Sequence, residues 1–181
     1  MGLFNLFNKN KLNEEKLTGA IYAAAQEGLE THPFSDLSFE GSFELLILNC
    51  SVCFPYIRTK FPKMNIKHIH FGLIMLLDDV VKNNELKHEF SKTHEYYVER
   101  SAIFENEATE VLLEQSRANT DNYFNPIYSY AILFKDYGRK DIDITDDLYS
   151  EELAYFGTDF RKHIFNVTDL LFKYIEIQKK I

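Results

Sequence analysis

A stretch of thirty-three residues, Leu45 to Leu77, contains no Asp or Glu, although the whole chain of 181 residues carries 28 of them. Two apolar runs in this stretch, 45–57 and 71–77, flank a basic connector made of Arg58, Lys60, Lys63, Lys67, His68 and His70. Apolar runs of this kind belong in the interior of a folded protein. We therefore expect the two runs to form the centre of the core and the basic connector to lie at the surface.

Apolar side chains recur every three or four residues along most of the sequence, which places them on one face of an α-helix. The chain has only 7 glycines and 4 prolines, and so few turn-forming residues argue against many short strands joined by hairpins. The spacing therefore predicts an all-α fold, a single-domain irregular bundle of six to eight helices over residues 13–181. The stretches 43–57 and 66–81 are expected to pair as its central apolar helical hairpin.

Polar residues and a proline set the predicted ends of the first helices. Asn13 precedes a stretch of helical periodicity and is expected to begin the first helix as its cap, and a later helix is expected to begin near Asn65, after Phe61 and Pro62. Pro55 interrupts the second stretch, where it removes a backbone donor and clashes with the preceding turn. The helix is therefore expected to kink there or to end near Phe54.

Glycines set two further predicted boundaries. Gly28 and the segment Thr31-His32-Pro33 are expected to end the first helix. Gly157 is expected to end a short helix just before the last one, which Thr158 and Asp159 would cap. The intervening stretch 85–115 keeps the helical spacing throughout. It is predicted as one helix or two, because its sequence does not locate a break.

Residues 1–12 form an N-terminal apolar segment that is expected to pack on the domain or to be flexible. Its apolar side chains include Leu3, Phe4, Leu6 and Phe7. It lacks the features of a secretory signal, and Leu6 stands where a myristoylation motif requires Ser or Thr. So short a segment binds membranes weakly, so membrane contact is not favoured. The longest uncharged apolar run, about 13 residues, is too short to span a bilayer.

Net charge and cysteine content narrow the class of partner and the compartment. The chain has a formal net charge of −8 and a sequence pI of about 5.3, which argues against nucleic-acid binding because phosphates require an extended basic face. Its two cysteines lie three residues apart and cannot join distant parts of a fold. Nothing therefore requires an oxidising compartment, and a cytoplasmic location is expected.

The two cysteines are also a candidate metal or redox site. Cys50 and Cys53 have the spacing of a redox pair or of half a zinc site, and His68 and His70 are the nearest additional ligands. Redox cysteines normally stand at an exposed helix N-terminus, whereas these two stand among apolar residues. Two buried core thiols are therefore the simpler interpretation.

Residues 141–152 imitate a calcium-binding loop. Oxygen-bearing side chains occupy its first, third, fifth and twelfth positions, namely Asp141, Asp143, Thr145 and Glu152. The sixth position, which needs glycine for a sharp turn, is Asp146. A solvated acidic loop is therefore favoured over a calcium site, and no cofactor is predicted.

Two kinds of surface are candidates for binding another protein. One is the basic connector, through Arg58, Lys60, Lys63 and Lys67. The other is formed by acidic helical faces and an aromatic cluster, whose candidate residues are Glu107, Glu110, Glu114, Tyr123 and Tyr128. Charged surfaces speed the association of oppositely charged proteins, and tyrosine is common at interfaces.

Catalytic signatures do not occur in the sequence. It has no phosphate-binding glycine loop, no nucleophile elbow and no local pair of histidine and nucleophile, so an enzyme is not favoured. We expect a small acidic cytoplasmic protein that acts by binding another protein, in a regulatory or neutralising role. The alternatives are a helical bundle that binds a metal or a small ligand, with or without enzymatic activity, and a peripheral membrane protein anchored by its N-terminal segment. The sequence determines neither the partner nor the oligomeric state.

Overall fold

The fold of the described residues is entirely helical, as predicted. A computed structural model of the chain describes residues 12–34, 37–84, 93–116, 126–130, 132–133 and 151–180. These residues contain seven helices and no strand: α1 (Glu14–Glu30), α2 (Phe39–Ser51), α3 (Phe54–Lys60), α4 (Ile66–Asn83), α5 (Thr93–Ser116), α6 (Ile127–Tyr130) and α7 (Glu151–Lys180). Among them, no helix is both long enough and apolar enough to cross a membrane. That residues 13–181 form a single domain stays a prediction.

Side-chain caps begin three of the helices. The Oδ1 atoms of Asn13 and Asn65 accept hydrogen bonds from the backbone N–H groups of Lys16 and His68, at 2.9 and 3.3 Å. Ser38 caps α2 through its Oγ. A cap of this kind satisfies an N–H group that lacks a partner within the helix. The predicted starts at Asn13 and Asn65 are thus confirmed, and Pro55 stands in the first turn of α3, after α2 has ended.

The helices α1 and α7 form an antiparallel pair. Near one end, Lys16 Nζ donates to the backbone oxygen of Gln178 at 3.2 Å, and near the other, Asn166 Nδ2 donates to Thr31 Oγ1 at 2.8 Å. The helix α1 also packs on α2 and α4, while α5 packs on α2, α3 and α4. The core therefore lies among α1, α2, α4 and α5, and α7 adds its buried face to the same core beside α1.

The predicted central hairpin is the part of the architecture that the structure corrects. Both of its stretches are helical and meet where Phe54 stacks on His70, but α2 and α4 each pack chiefly on α1 and on α5. The reason lies in α2, whose residues 43–51 are buried on every side. A helix buried all round needs several neighbours, which a single hairpin partner does not supply.

Two predicted helix ends at glycine are wrong. The first helix ends at Glu30 with Thr31 at its C-cap, so the end predicted at the segment 31–33 is confirmed. Gly28 lies inside α1, where a Cβ atom would stand 2.8 Å from Asn49 Nδ2 and 3.0 Å from Val167 Cγ2. Gly157 lies buried inside α7, which continues unbroken through the predicted cap at Thr158 and Asp159. A glycine inside a helix costs only about 1 kcal/mol relative to alanine, and packing between helices exceeds that cost.

Several predicted features lie outside the described residues. These are the N-terminal residues 1–11, the stretch 85–92, Tyr123, and the residues Asp141, Asp143 and Thr145 of the candidate calcium loop. Glu114 and Glu152 lie within α5 and α7, but their side chains are outside the description. From residue 93 to residue 116 the predicted stretch is one continuous helix.

Candidate functional site

A groove runs between α4 and α5 and has a volume of about 750 Å³. Phe71 of α4 and Val98 of α5 line it and are 59% and 51% exposed, although both are large apolar side chains. Cationic or titratable side chains from three helices stand at its rim, namely Arg58, Lys67 and His94. The α4–α5 groove therefore combines exposed apolar walls with a basic rim.

The polar lining of the α4–α5 groove is built around His70. Tyr97 is fully buried, and its hydroxyl lies 2.9 Å from His70 Nδ1. A buried hydroxyl needs a partner, and this one donates when Nδ1 is the unprotonated nitrogen of a neutral ring. The proton of His70 is then on Nε2, which lies 3.6 Å from Glu105 Oε1. Glu105 Oε2 in turn accepts from Arg58 at 2.7 Å.

We call these four side chains the His70 cluster: Tyr97, His70, Glu105 and Arg58. Their contacts form a continuous series from the core to the solvent. Burial lowers the pKa of His70 to about 4, with a smaller contribution from the charge of Arg58. The ring is held flat against Phe54, with centroids 3.8 Å apart and planes inclined by 12°. Burial raises the pKa of Glu105, and Arg58 opposes that shift. At neutral pH, His70 is therefore an uncharged donor beside a carboxylate that Arg58 already neutralises.

The basic connector lies at the surface as expected, but its members do not act as one patch. Lys67 stands at the rim of the α4–α5 groove, and Arg58 is bound to Glu105. Lys60 and Lys63 line a different depression, beside the start of α1. The four cations are thus divided between two places, and only Arg58 and Lys67 belong to the α4–α5 groove.

The candidate zinc ligands do not come together. Cys50 and Cys53 are free thiols in the core, where burial raises the pKa of each, and Cys53 donates to the backbone oxygen of Asn49 at 3.3 Å. His68 is exposed, and His70 faces Tyr97. Within the described ranges, no group of three or more His, Cys, Asp or Glu side chains could hold a metal ion.

Glu107 was expected on an acidic surface, and that expectation is wrong. It is buried, and its carboxylate accepts from the backbone N–H groups of Tyr128 and Ser129 at 3.0 and 2.9 Å and from the hydroxyl of Ser129. Burial raises its pKa, while the bonds from Ser129 and Tyr128 oppose the shift. The helical spacing carries a sign of this role, because Glu107 shares the buried stripe of Phe104, Ala108 and Val111.

The other candidate residues of these surfaces fall in different places. Glu110 is half-buried on α5, whereas Tyr128 on α6 is strongly exposed. Glu107 joins α5 to the segment that carries Tyr128, so it has a structural role and does not contact solvent. Of the predicted acidic and aromatic candidates with described side chains, Tyr128 is therefore the one that a partner reaches most easily.

A second polar cluster, the Asn49–His163 pair, was not predicted. His163 is 1% exposed, and its Nε2 lies 2.6 Å from Asn49 Oδ1, while Asn49 Nδ2 donates to the backbone oxygen of Ala25 at 3.0 Å. Burial lowers the pKa of His163 to about 4, with a smaller contribution from His32. The pair ties α1, α2 and α7 together. The two residues are 114 positions apart in the sequence, so no local spacing predicts the contact between them.

Comparison of the chain with protein family models, with curated proteins and with solved structures finds no match. The α4–α5 groove, the His70 cluster and the distribution of charge are therefore the features that bear on function.

Proposed function

We propose that the protein binds another protein in the cytoplasm, and that the α4–α5 groove receives a partner segment with an apolar side chain flanked by carboxylates. One observation carries this proposal: Phe71 and Val98 are more than half exposed on facing helices, beside the cations Arg58 and Lys67. Neighbouring exposed apolar side chains with a polar rim are typical of interaction sites. A buried apolar anchor within a polar rim is the arrangement that concentrates binding energy at interfaces.

Charge supports an acidic partner segment at this place. The chain as a whole has a net charge of −8, so it repels an acidic protein over most of its surface. The rim of the α4–α5 groove is an exception, because Lys67 is exposed there and Arg58 is half-exposed even while it binds Glu105. Local complementarity within an opposing field favours specificity, since it limits the positions at which an acidic partner docks.

The location fits the two thiols, which are free and buried. A reducing compartment keeps such cysteines unpaired, and the cytoplasm is the reducing compartment that most proteins occupy. The cytoplasmic location is part of the proposal.

The test is a partner capture with matched variants, followed by titration of each purified partner. The bait Lys67→Glu, Phe71→Asp changes the groove, and the control bait Lys162→Glu, Tyr155→Asp makes the same changes at exposed positions of α7. We expect partners that bind the intact protein and the control bait but bind the groove bait at least ten times more weakly. Equal affinity for both baits would contradict the proposal, provided that circular dichroism shows both to be folded.

A small organic ligand is the second candidate for the same groove. Its volume of about 750 Å³ lies within the usual range of ligand sites, and a histidine of lowered pKa stands beside a carboxylate in its lining. Thermal unfolding with a panel of aromatic carboxylates tests this alternative. A ligand that stabilises the intact protein but not Phe71→Asp would favour it over a protein partner.

A further inference from the structure

Arg58, the rim cation of the α4–α5 groove that reaches farthest into the His70 cluster, is already bound to a carboxylate of its own chain. Its Nη2 donates to Glu105 Oε2 at 2.7 Å, and the side chain of Arg58 is 52% exposed whereas that of Glu105 is 17% exposed. In the described part of the chain this is the one hydrogen bond of the guanidinium, which has further N–H donors for a second acceptor. A carboxylate that binds Arg58 from the groove therefore comes close to a second carboxylate, that of Glu105.

Two carboxylates on one guanidinium repel each other, and a single proton relieves the repulsion. The His70 cluster has a place for that proton. Glu105 Oε1 lies 3.6 Å from His70 Nε2, which is longer than a hydrogen bond. The proton is held by Glu105, or by His70 Nδ1 after the Tyr97 hydroxyl has rotated to accept from it. Because Glu105 and His70 are so close, they take up the proton as a pair.

The charge of Arg58 keeps this proton off the pair in the free protein. Burial lowers the pKa of His70 to about 4, with a smaller contribution from Arg58, and burial raises the pKa of Glu105, which Arg58 opposes. A carboxylate bound to Arg58 neutralises that charge, so the pKa values of both groups rise. Carboxylate binding and proton uptake at the pair therefore favour each other.

Other titratable or charged groups also face the pair, from four helices. They are Cys50 and Cys53 of α2 behind Tyr97, Arg58 of α3, Lys67 of α4, and His94 and Tyr97 of α5. Burial raises the pKa of both thiols and of Tyr97, so these three groups stay uncharged in the neutral range. His94 is exposed at the rim, so its own protonation must be separated from that of the pair by experiment.

We propose that the α4–α5 groove takes up a carboxylate together with one proton, which the Glu105–His70 pair holds while Arg58 binds the carboxylate. This inference rests on the proposed function and adds its regulation, because the acidic partner segment binds more tightly as the pH falls. If carboxylate binding favours the proton, the proton favours carboxylate binding by the same factor. At neutral pH, Glu105 opposes the binding of the partner.

NMR titration with two small peptides tests the proton uptake. The probe acetyl-aspartyl-phenylalanine amide has one carboxylate beside an apolar ring, and its asparaginyl analogue is the uncharged control. The aspartate has an ordinary pKa of about 3.9 and stays ionised from pH 5.5 to pH 7.5. We expect the charged probe to bind about ten times more tightly at pH 5.5 than at pH 7.5, because linked uptake of one proton changes affinity by up to about tenfold per pH unit. The analogue should bind equally at both values.

Three variants locate the proton. Glu105→Gln removes the repelling charge but keeps an oxygen for Arg58, so it should bind the charged probe about ten times more tightly than the intact protein at pH 7.5, without the pH dependence. Glu110→Gln removes a half-buried carboxylate of the same helix, outside the groove lining, and should behave as the intact protein. His94→Gln should keep the pH dependence, because the rim histidine does not hold the proton.

Weaker binding of the charged probe to folded Glu105→Gln would show that Glu105 positions Arg58, which would overturn the proposal. Equal affinity at both pH values, loss of the pH dependence in His94→Gln, or no binding of the charged probe would also overturn it. Calorimetry of the intact protein in two buffers of different ionisation enthalpy counts the proton without any variant. A partner that requires the groove but binds equally at pH 5.5 and 7.5 would remove the proton uptake and leave the proposed function in place.

Discussion

His70 and His163 have the same pKa of about 4 for the same main reason, burial, but their surroundings differ. His163 lies among α1, α2 and α7, where its Nε2 faces Asn49, which is itself fully buried, and its ring makes an edge contact with Phe34. In His70, Nδ1 faces the hydroxyl of buried Tyr97, and Nε2 faces Glu105, which binds the half-exposed Arg58. The ring lies in the lining of an open groove. A lowered histidine pKa therefore shows that the ring is buried. Whether the side chains in contact with the ring extend to the surface distinguishes a binding position from a structural one.

The largest expected effect is at the enclosed pair. Asn49→Ala removes the acceptor of His163, so a buried imidazole nitrogen loses its partner, and it also removes a second hydrogen bond to the backbone oxygen of Ala25, which keeps its bond within α1. The unpaired group costs about 1 to 3 kcal/mol and the lost hydrogen bond to Ala25 about 1 kcal/mol more, so the free energy of unfolding should fall by about 3 kcal/mol in urea denaturation. Asn166→Ala, which removes an exposed bond to Thr31, is the control and should cost less than about 1 kcal/mol. A loss at Asn49 no larger than the control would contradict the enclosed role of the pair.

The second effect is acid destabilisation through His163. Its folded pKa of about 4 is below the ordinary value of 6.5, so the unfolded chain binds the proton first. Stability from the neutral ring is complete above pH 6.5 and is lost as the pH falls towards 4, by up to about 3 kcal/mol. Urea denaturation of the protein and of His163→Gln at several pH values should show the difference between them shrinking over this range. A constant difference would show that His163 does not titrate as described.

The third effect separates the two histidines electrostatically. Arg58→Gln removes a charge that lowers the pKa of His70, so that pKa should rise, by about one unit or ~1.4 kcal/mol. Arg58 is not among the causes that lower the pKa of His163, which should therefore stay unchanged. NMR titration of the ring carbons follows both residues in one sample. An equal shift in both, or in neither, would remove the distinction between them.

The smallest effect concerns the wall of the groove. Phe71→Ser changes an exposed side chain, so the free energy of unfolding should change by less than about 0.5 kcal/mol. Phe160→Ala, at a fully buried position of α7, should cost about 3 to 5 kcal/mol by the same urea measurement. A large loss at Phe71 would mean that its ring supports the fold, which would weaken its role as a binding wall.

Local signals in the sequence predicted the elements well and their arrangement less well. The all-α class follows from spacing, and the starts at Asn13 and Asn65 follow from caps that involve residues three positions apart. The pairing of α2 and α4 failed because it depends on which helices surround α2, and adjacency in the chain does not decide that. The helix end predicted at Gly28 is wrong because this glycine allows the close approach of Asn49, which lies on another helix.

The candidate site was predictable only in part. Arg58, Lys67 and His70 were candidates because they lie in a stretch without acidic residues, and all three line the α4–α5 groove. Tyr97 and Glu105 joined them only through the packing of α5, since nothing in their own spacing points to His70. Glu107 shows the opposite error, because its charge suggested a solvated surface although its helical position is on the buried stripe.

The contact of Lys16 with Gln178 has a mechanical consequence. It brings the start of α1 beside the end of the antiparallel α7, so a pulling force applied at residues 14 and 180 acts at one end of the pair. Such a force separates the helices one turn at a time, and only a few contacts resist at any moment. A force applied at residues 14 and 166 would load the whole interface in shear. The same pair of helices is therefore weak along one pulling axis and strong along another.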